Sequence, residues 1–257
     1  MSDLLSQAEI DALLSGTTSD SFSDSYSDSE NLTPQEIDAL GEIGNISMGT
    51  SATTLFTLLG HKVTITTPRV SVVTWEELSK EYPYPYVAVK VEYTDGLIGT
   101  NLLILKEDDT KLITDLMMGG EGRISEGDLT DLHLSAISEA MNQMIGSSAT
   151  SMSSMFRKRI EISPPTAFIM KFDSPEIYIN DLEVSQKIVK IAFKMVVEDL
   201  MDSEIMQLIP IKFAKDMVDG LLNVDIDQAG KNSSNEAPIP KNIINDAPKM
   251  QNTQTTS

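Results

Sequence analysis

The chain has 257 residues, with 19 Lys+Arg against 39 Asp+Glu for a formal net charge of −20, and 40% hydrophobic residues, enough to bury a substantial core. That acidity works against binding a phosphate backbone or anionic lipid, and the absence of cysteine excludes disulfides, thiolate nucleophiles and Cys-based metal sites. No apolar run reaches the roughly 18 residues of a membrane span, and His61 and His133 share no metal-ligand spacing. The expectation is a cytoplasmic protein with no nucleic-acid partner, no membrane insertion and no metal of its own, whose chemistry runs on carboxylates, amides and hydroxyls.

In chain order, residues 1–16 read as a short amphipathic helix. Ser6 and Glu9 have capping-box spacing, Ile10, Leu13 and Leu14 fall at i, i+3 and i+4, and Gly16 suits the stop. So short a helix is unstable alone in water, so it must dock on another protein or on its own core. Residues 17–31 are a Ser/Asp-rich stretch expected to be a disordered linker. The folded core is expected over 32–224. It begins with a helix over 34–59, a strand near 62–73, strands near 86–94 and 97–105, and a helix near 107–118. A helix over 130–158 follows, then strands near 160–171, 186–197 and 203–211, and a helix near 212–223. The strands rest on β-branched alternation in KVTITTPRVSVV, YVAVKVEY and KIVKIAFKMVV. Residues 225–257 are rich in Asn, Gln, Pro and Ser and read as a disordered linker or tail. Of the net charge, −7 lies in residues 1–31 and −1 in 225–257, leaving −12 for the core.

The core is an internal duplication. Residues 42–55, EIGNISMGTSATTL, align with 139–152, EAMNQMIGSSATSM, at a constant offset of 97, and six of the fourteen positions are identical. The repeats run from about 34 to 120 and from 130 to 224. Each places a long helix before antiparallel-looking strands, so the expected class is α+β with a pseudo-two-fold axis, long helices packing on an antiparallel sheet.

At about 100° per residue, Ile37, Gly44, Met48, Leu55 and Leu59 form an apolar stripe on the first helix, and Leu134, Met141, Ile145, Met152 and Phe156 form its counterpart. Asp38, Glu42 and Asn45 gather on another flank, as do Ser135, Glu139 and Asn142. Glu and Asn at i, i+3 project side by side. One such pair is an ordinary solvated face. Two at equivalent positions of a duplication are not, because Asn is a mediocre helix former and needs a reason to recur mid-helix. The flanks of the two pairs differ, with Gly44 and Ile46 in the first and Met141 and Gln143 in the second.

No GxxxxGK loop is present for nucleotide hydrolysis. No His, Cys or Lys accompanies Ser47, Ser51 or Ser148 as a nucleophile's partner. An uncharged amide can still orient a water for in-line attack on a phosphoryl group, as the glutamine of GTPases does, and a neighbouring Glu can hold a cation of a substrate protein.

Two patterns resemble a known family. LSQAEIDALL, residues 5–14, is similar to the N-terminal peptide of the flagellar switch proteins FliM and FliY, which captures the phosphorylated chemotaxis response regulator CheY. That similarity implies Leu5, Ser6, Gln7, Glu9, Ile10, Asp11, Leu13 and Leu14 as its binding residues. Asp38-Glu42-Asn45-Pro68 and Ser135-Glu139-Asn142-Pro165 share one spacing, and that spacing resembles the signature of the CheC, CheX and FliY phosphatase family. The resemblance implies a CheC-like duplicated domain that hydrolyses the aspartyl phosphate of CheY at the flagellar motor switch. It implies Asn45 and Asn142 as the residues that orient the attacking water, and Glu42 and Glu139 as partners of a CheY lysine. Asp38, Pro68, Ser135 and Pro165 would shape the site. The Mg²⁺ would be held by CheY, and FliM and FliG would be partners at the cytoplasmic face of the basal body. FliY-type members are expected to continue past such a linker into a FliN-like β-rich domain, and no such segment lies within these 257 residues. The alternative is a non-catalytic, FliM-like switch scaffold that only binds phosphorylated CheY. The Glu/Asn pairs in both copies favour the enzyme.

Overall fold

The computed structural model describes residues 31–124, 126–173 and 187–232. The peptide expected over 1–16, the linker up to residue 30 and the tail from 233 lie outside the described residues. Among the described residues, five helices and eight strands follow one another as α1 (Pro34–Leu59), β1 (Val63–Ile65), β2 (Arg69–Thr74), α2 (Trp75–Glu81), β3 (Tyr86–Asp95), β4 (Gly99–Leu105), α3 (Glu107–Met117), α4 (Asp131–Phe156), β5 (Glu161–Ile162), β6 (Thr166–Met170), β7 (Lys187–Val197), β8 (Met201–Ile209) and α5 (Ile211–Asn232). The α+β class holds. No described helix is long and apolar enough to cross a membrane.

The strands form one antiparallel sheet ordered β1/β2, β7, β8, β4, β3, β5/β6. Each copy contributes its own hairpin, β3–β4 or β7–β8, and the hairpins join where Leu102 pairs with Leu208 and Ile104 with Met206. The outer strands are exchanged. Arg69 of the first copy pairs with Ala192 of the second, and Thr166 of the second pairs with Lys90 of the first. Even a joint bond recurs: Thr66 N donates to Lys194 O at 3.0 Å, and Ser163 N donates to Glu92 O at 2.8 Å.

Each first strand, expected as a single run, is in fact two. Thr66-Thr67-Pro68 separates β1 from β2, and Ser163-Pro164-Pro165 separates β5 from β6. Proline has no N–H to give the ladder, so the strand is broken where it falls. The short helix α2 was not anticipated, although Thr74 and Glu77 form a capping box, Thr74 N donating to Glu77 Oε2 at 2.7 Å and Glu77 N to Thr74 Oγ1 at 3.1 Å. The last helix also passes its expected end at residue 223 and takes in 225–232, which composition had assigned to the tail.

Alternation along the strands divides the apolar residues between two faces. Val87, Val89 and Val91 of β3, with Val189, Ile191 and Phe193 of β7, pack under α1, α3, α4 and α5 as the main core. Ala88, Leu102, Ile104, Ile188 and Leu208 face the other way, where Leu78 of α2 and Phe172 cover them. The aromatic rings of Trp75, Tyr82 and Tyr86 surround Phe172 at centroid distances of 5.8–6.5 Å.

Two local features test this packing. Gly96 turns the β3–β4 hairpin at φ 74°, and a Cβ there would lie 1.9 Å from the Arg159 carbonyl oxygen of the second copy. No side chain fits, and the backbone it would strike cannot rotate away. Gly96→Ala is therefore expected to cost roughly 2–3 kcal/mol or more, read from the urea midpoint of unfolding. The second feature is Asp109 on α3, 7% exposed, which accepts a hydrogen bond from Ser203 Oγ of β8 at 2.5 Å. Burial holds its carboxyl above the usual carboxylate range, with the Ser203 bond opposing the shift. An acid raised in the folded state contributes its stability below its unfolded pKa and loses it as pH rises through the folded value. Asp109→Asn keeps an acceptor for Ser203 without a buried charge. Its urea midpoint should exceed wild type at neutral pH, and the difference should disappear below about pH 4. A difference that stays constant with pH would sink this account.

Candidate active site

Helix α1 starts at a complete capping box. Thr33 N donates to Glu36 Oε2 at 2.6 Å, Glu36 N donates to Thr33 Oγ1 at 3.2 Å, and Pro34 occupies the first turn, where no N–H is needed. Leu40, Ile43, Gly44, Ser47, Met48, Ser51, Leu55 and Leu59 form its buried stripe. Ile37, expected in that stripe, is only half-buried, and Leu40 and Ile43 fill the place instead. Asp38, Glu42 and Asn45 face solvent, the last two one turn apart.

The same arrangement recurs on α4. Ile137, Met141, Ile145, Met152 and Phe156 are buried, Leu134 is half-buried, Ser135 and Glu139 are exposed, and Asn142 is half-buried. The cap differs, because His133 Nδ1 replaces the glutamate and accepts from Thr130 N at 3.1 Å.

Each site-bearing helix is fastened at, or just past, the joint of its own broken strand. In the first copy Gly44 permits close approach: a Cβ there would lie 3.1 Å from Phe193 Cζ and 3.2 Å from Pro68 Cγ. Pro68 therefore seats against the turn that carries Asn45. In the second copy the counterpart of Gly44 is Met141, which is fully buried. There the fastening is a hydrogen bond, Ala167 N just beyond Pro165 donating to Ser138 Oγ at 3.0 Å beside Glu139. The helices are also tied to each other, Ser51 Oγ of α1 donating to Met144 O of α4 at 3.0 Å.

The surroundings of the two pairs are not alike. Gln143 Nε2 donates to Glu139 Oε1 at 2.8 Å, whereas Ile46, 38% exposed, stands at the equivalent place beside Glu42. Gln143 is a site neighbour to which composition and repeat give no role. Its signal was the Glu–Gln spacing of i, i+4, which brings two side chains together on a helix. One to three turns beyond Asn45, Gly49, Ala52, Thr53 and Phe56 border a groove of about 370 Å³ against β1. Phe56 is half exposed there, while its counterpart Ser153 is turned inward, donating to Ala149 O at 2.7 Å and accepting from Ile160 N at 3.0 Å.

The local charge is negative. Helix α1 carries Glu36, Asp38 and Glu42 and no base, and α4 carries Asp131 and Glu139 with His133. Such a surface draws a cationic side chain towards the glutamates. An exposed Asn offers both an acceptor oxygen and an N–H donor to the same water. Among the described residues, no group of three or more His, Asp or Glu is arranged to hold a metal ion.

Comparison with known proteins follows the same two-copy pattern. Residues 36–72 and 132–169 match the CheC-like family, spans that run from α1 into β2 and from α4 into β6. The chain is 44% identical over 249 residues to the flagellar motor switch phosphatase FliY of Bacillus subtilis (strain 168), covering 96% of this chain and 66% of that protein. The chain thus spans just under two thirds of that relative's length. The crystal structure of Thermotoga maritima FliY aligns with a TM-score of 0.69 at 40% identity, over 75% of this chain and 98% of that one. The FliM middle domain from H. pylori aligns with a TM-score of 0.57 at 11% identity, over 74% of this chain and 99% of that one, a likeness of fold.

Proposed function

The chain belongs to the CheC-like family, and from that premise we propose that it is a phosphatase of the flagellar motor switch that removes phosphate from the phospho-aspartate of the chemotaxis response regulator CheY. The observation that carries this reading is the recurrence of the Glu/Asn pair on equivalent turns of α1 and α4, with both glutamates and Asn45 exposed and Asn142 half-buried, each helix held at or just past the joint of a broken strand. A helix face of mere solvation has no need of the same mid-helix Asn twice.

In this mechanism Glu42 or Glu139 accepts from a lysine ammonium of CheY and fixes the register of the docked regulator. The neighbouring Asn45 or Asn142 then enters the phosphorylated site, its amide holding a water in line with the phosphorus. The water oxygen forms a bond to phosphorus, the bond from phosphorus to the aspartate oxygen breaks, and the carboxylate leaves with the electron pair. Both protons of the water remain with the phosphate, which is released as dihydrogen phosphate. The Mg²⁺ that spreads charge in this transition state belongs to the regulator, so the enzyme supplies positioning, which is most of what phosphoryl transfer asks of a protein. At the motor, FliM and FliG are the partners this reading names, on the cytoplasmic side of the basal body.

The residues 5–14 peptide has a separate part, capturing the regulator and raising its concentration near the core. A linker of about 16 residues spans some 20–25 Å, and tethering on that scale gives an effective concentration around millimolar.

Two measurements test the proposal. Release of phosphate from labelled CheY should fall by about 100-fold in Asn45→Ala with Asn142→Ala, with each single variant retaining part of the activity. A double variant as fast as wild type rules the mechanism out. Deleting residues 1–16 should raise the apparent KM for phosphorylated CheY by about 10-fold or more while leaving kcat within about twofold. Loss of activity at saturating CheY would mean that the peptide belongs to the active site itself.

A further inference from the structure

A cavity of about 20 Å³ lies between α1, α4 and the sheet, and its polar side is made by Ser47, Tyr93, Asn101, Ser148 and Gln207. All five are buried, none more than 8% exposed. Their hydrogen-bonding capacity is poorly used. The Asn101 side-chain amide bonds the Tyr93 hydroxyl, but its Oδ1 meets no protein partner. Three donors rest on thioether sulfur at 3.9 Å: Tyr93 Oη and Ser148 Oγ on Met152 Sδ, and Gln207 Nε2 on Met48 Sδ. Sulfur of this kind is a weak acceptor. Ser47 Oγ donates to Gly44 O at 3.1 Å and keeps its lone pairs.

Buried polar groups with a lone acceptor and weakly placed donors are uncommon in folded proteins, and ordered water is the usual remedy. About 10–15 Å³ accommodates one water, and a water needs two to four polar partners. We propose that this cavity is a binding site for one ordered water, which donates to Asn101 Oδ1 and Ser47 Oγ and accepts from Gln207, Ser148 or Tyr93. That water joins Ser47 of α1 to Asn101 of β4 and to one or two of Ser148 of α4, Tyr93 of β3 and Gln207 of β8. It therefore fixes how the two site-bearing helices sit on the sheet, and it does so whatever reaction the helices serve.

A high-resolution crystal structure of the full chain decides the matter. The expected result is one discrete density peak within roughly 3.2 Å of Asn101 Oδ1 and of at least one further polar atom among the five residues. Featureless density at that point overturns the proposal. In solution, Asn101→Leu, which keeps the branched outline but replaces the amide with two bulkier methyls, should show one fewer long-lived water in oxygen-17 relaxation dispersion and a lower urea midpoint than wild type. An unchanged count of long-lived waters, or a variant as stable as wild type, also overturns it. If the variant does not fold, the density in the wild-type crystal stands as the deciding result.

Discussion

The exchange of outer strands between the two copies is the constraint from which the rest of the molecule follows. Strands β1 and β2 leave the copy that encodes them and pair with β7, while β5 and β6 pair with β3. Each copy's long helix is joined directly to its exchanged strand, so α1 and α4 are drawn over the seam where Leu102 meets Leu208. Neither copy has a complete sheet alone. The core under the helices is accordingly one continuous cluster drawing on both copies, in which Phe193 of the second packs beside Leu40 and Gly44 of the first.

Symmetry of backbone has not forced symmetry of detail. The turn bearing Asn45 is held by a missing side chain at Gly44, and the turn bearing Asn142 by the Ser138 hydroxyl. One copy starts its helix with Glu36 and the other with His133. Glu139 carries an amide partner and Glu42 an isoleucine neighbour. Such differences accumulate readily after a duplication, because the register of the strands fixes the helices while their exposed flanks are free to diverge. A groove ending at Phe56 beside one site and a self-satisfied Ser153 beside the other are further products of that freedom.

Much of this was legible in the sequence because it depends on local period and on repetition. The offset of 97 identified the copies, and the polar flanks of Glu42/Asn45 and Glu139/Asn142 lie where helical spacing put them. Other features were illegible for physical reasons. The exchange of strands is a matter of which partner a strand meets, and β-branched alternation is silent on that. Pro68 and Pro165 read as residues that fix a turn or edge, but β-branched alternation on either side of them reads as one run and hides the split. Helix α2 carried its own Thr74–Glu77 start signal but was obscured by the apolar run before it. Helix α5 runs into a stretch whose composition reads as linker. Gly44 looked like an ordinary member of an apolar stripe, since nothing local tells that Pro68 and Phe193 approach it.

The exchanged strands also bear on how the chain is made. As synthesis proceeds from the N-terminus, Arg69–Thr74 has no place in the sheet until Lys187–Ala192 has been added. Through that interval its apolar residues and its unpaired backbone stay open to other partners, and long-range pairing of this kind closes slowly. The closest decoy is built into the protein, since β3 of the first copy has the same pairing surface that β7 offers in the second. A nascent chain can seat its first outer strand on its own β3, or on the β7 of a neighbouring molecule, before the correct one arrives. A duplicated domain of this design is thus exposed during assembly to strand mispairing and to domain swapping, through the same reciprocity that holds its two helices in place once folded.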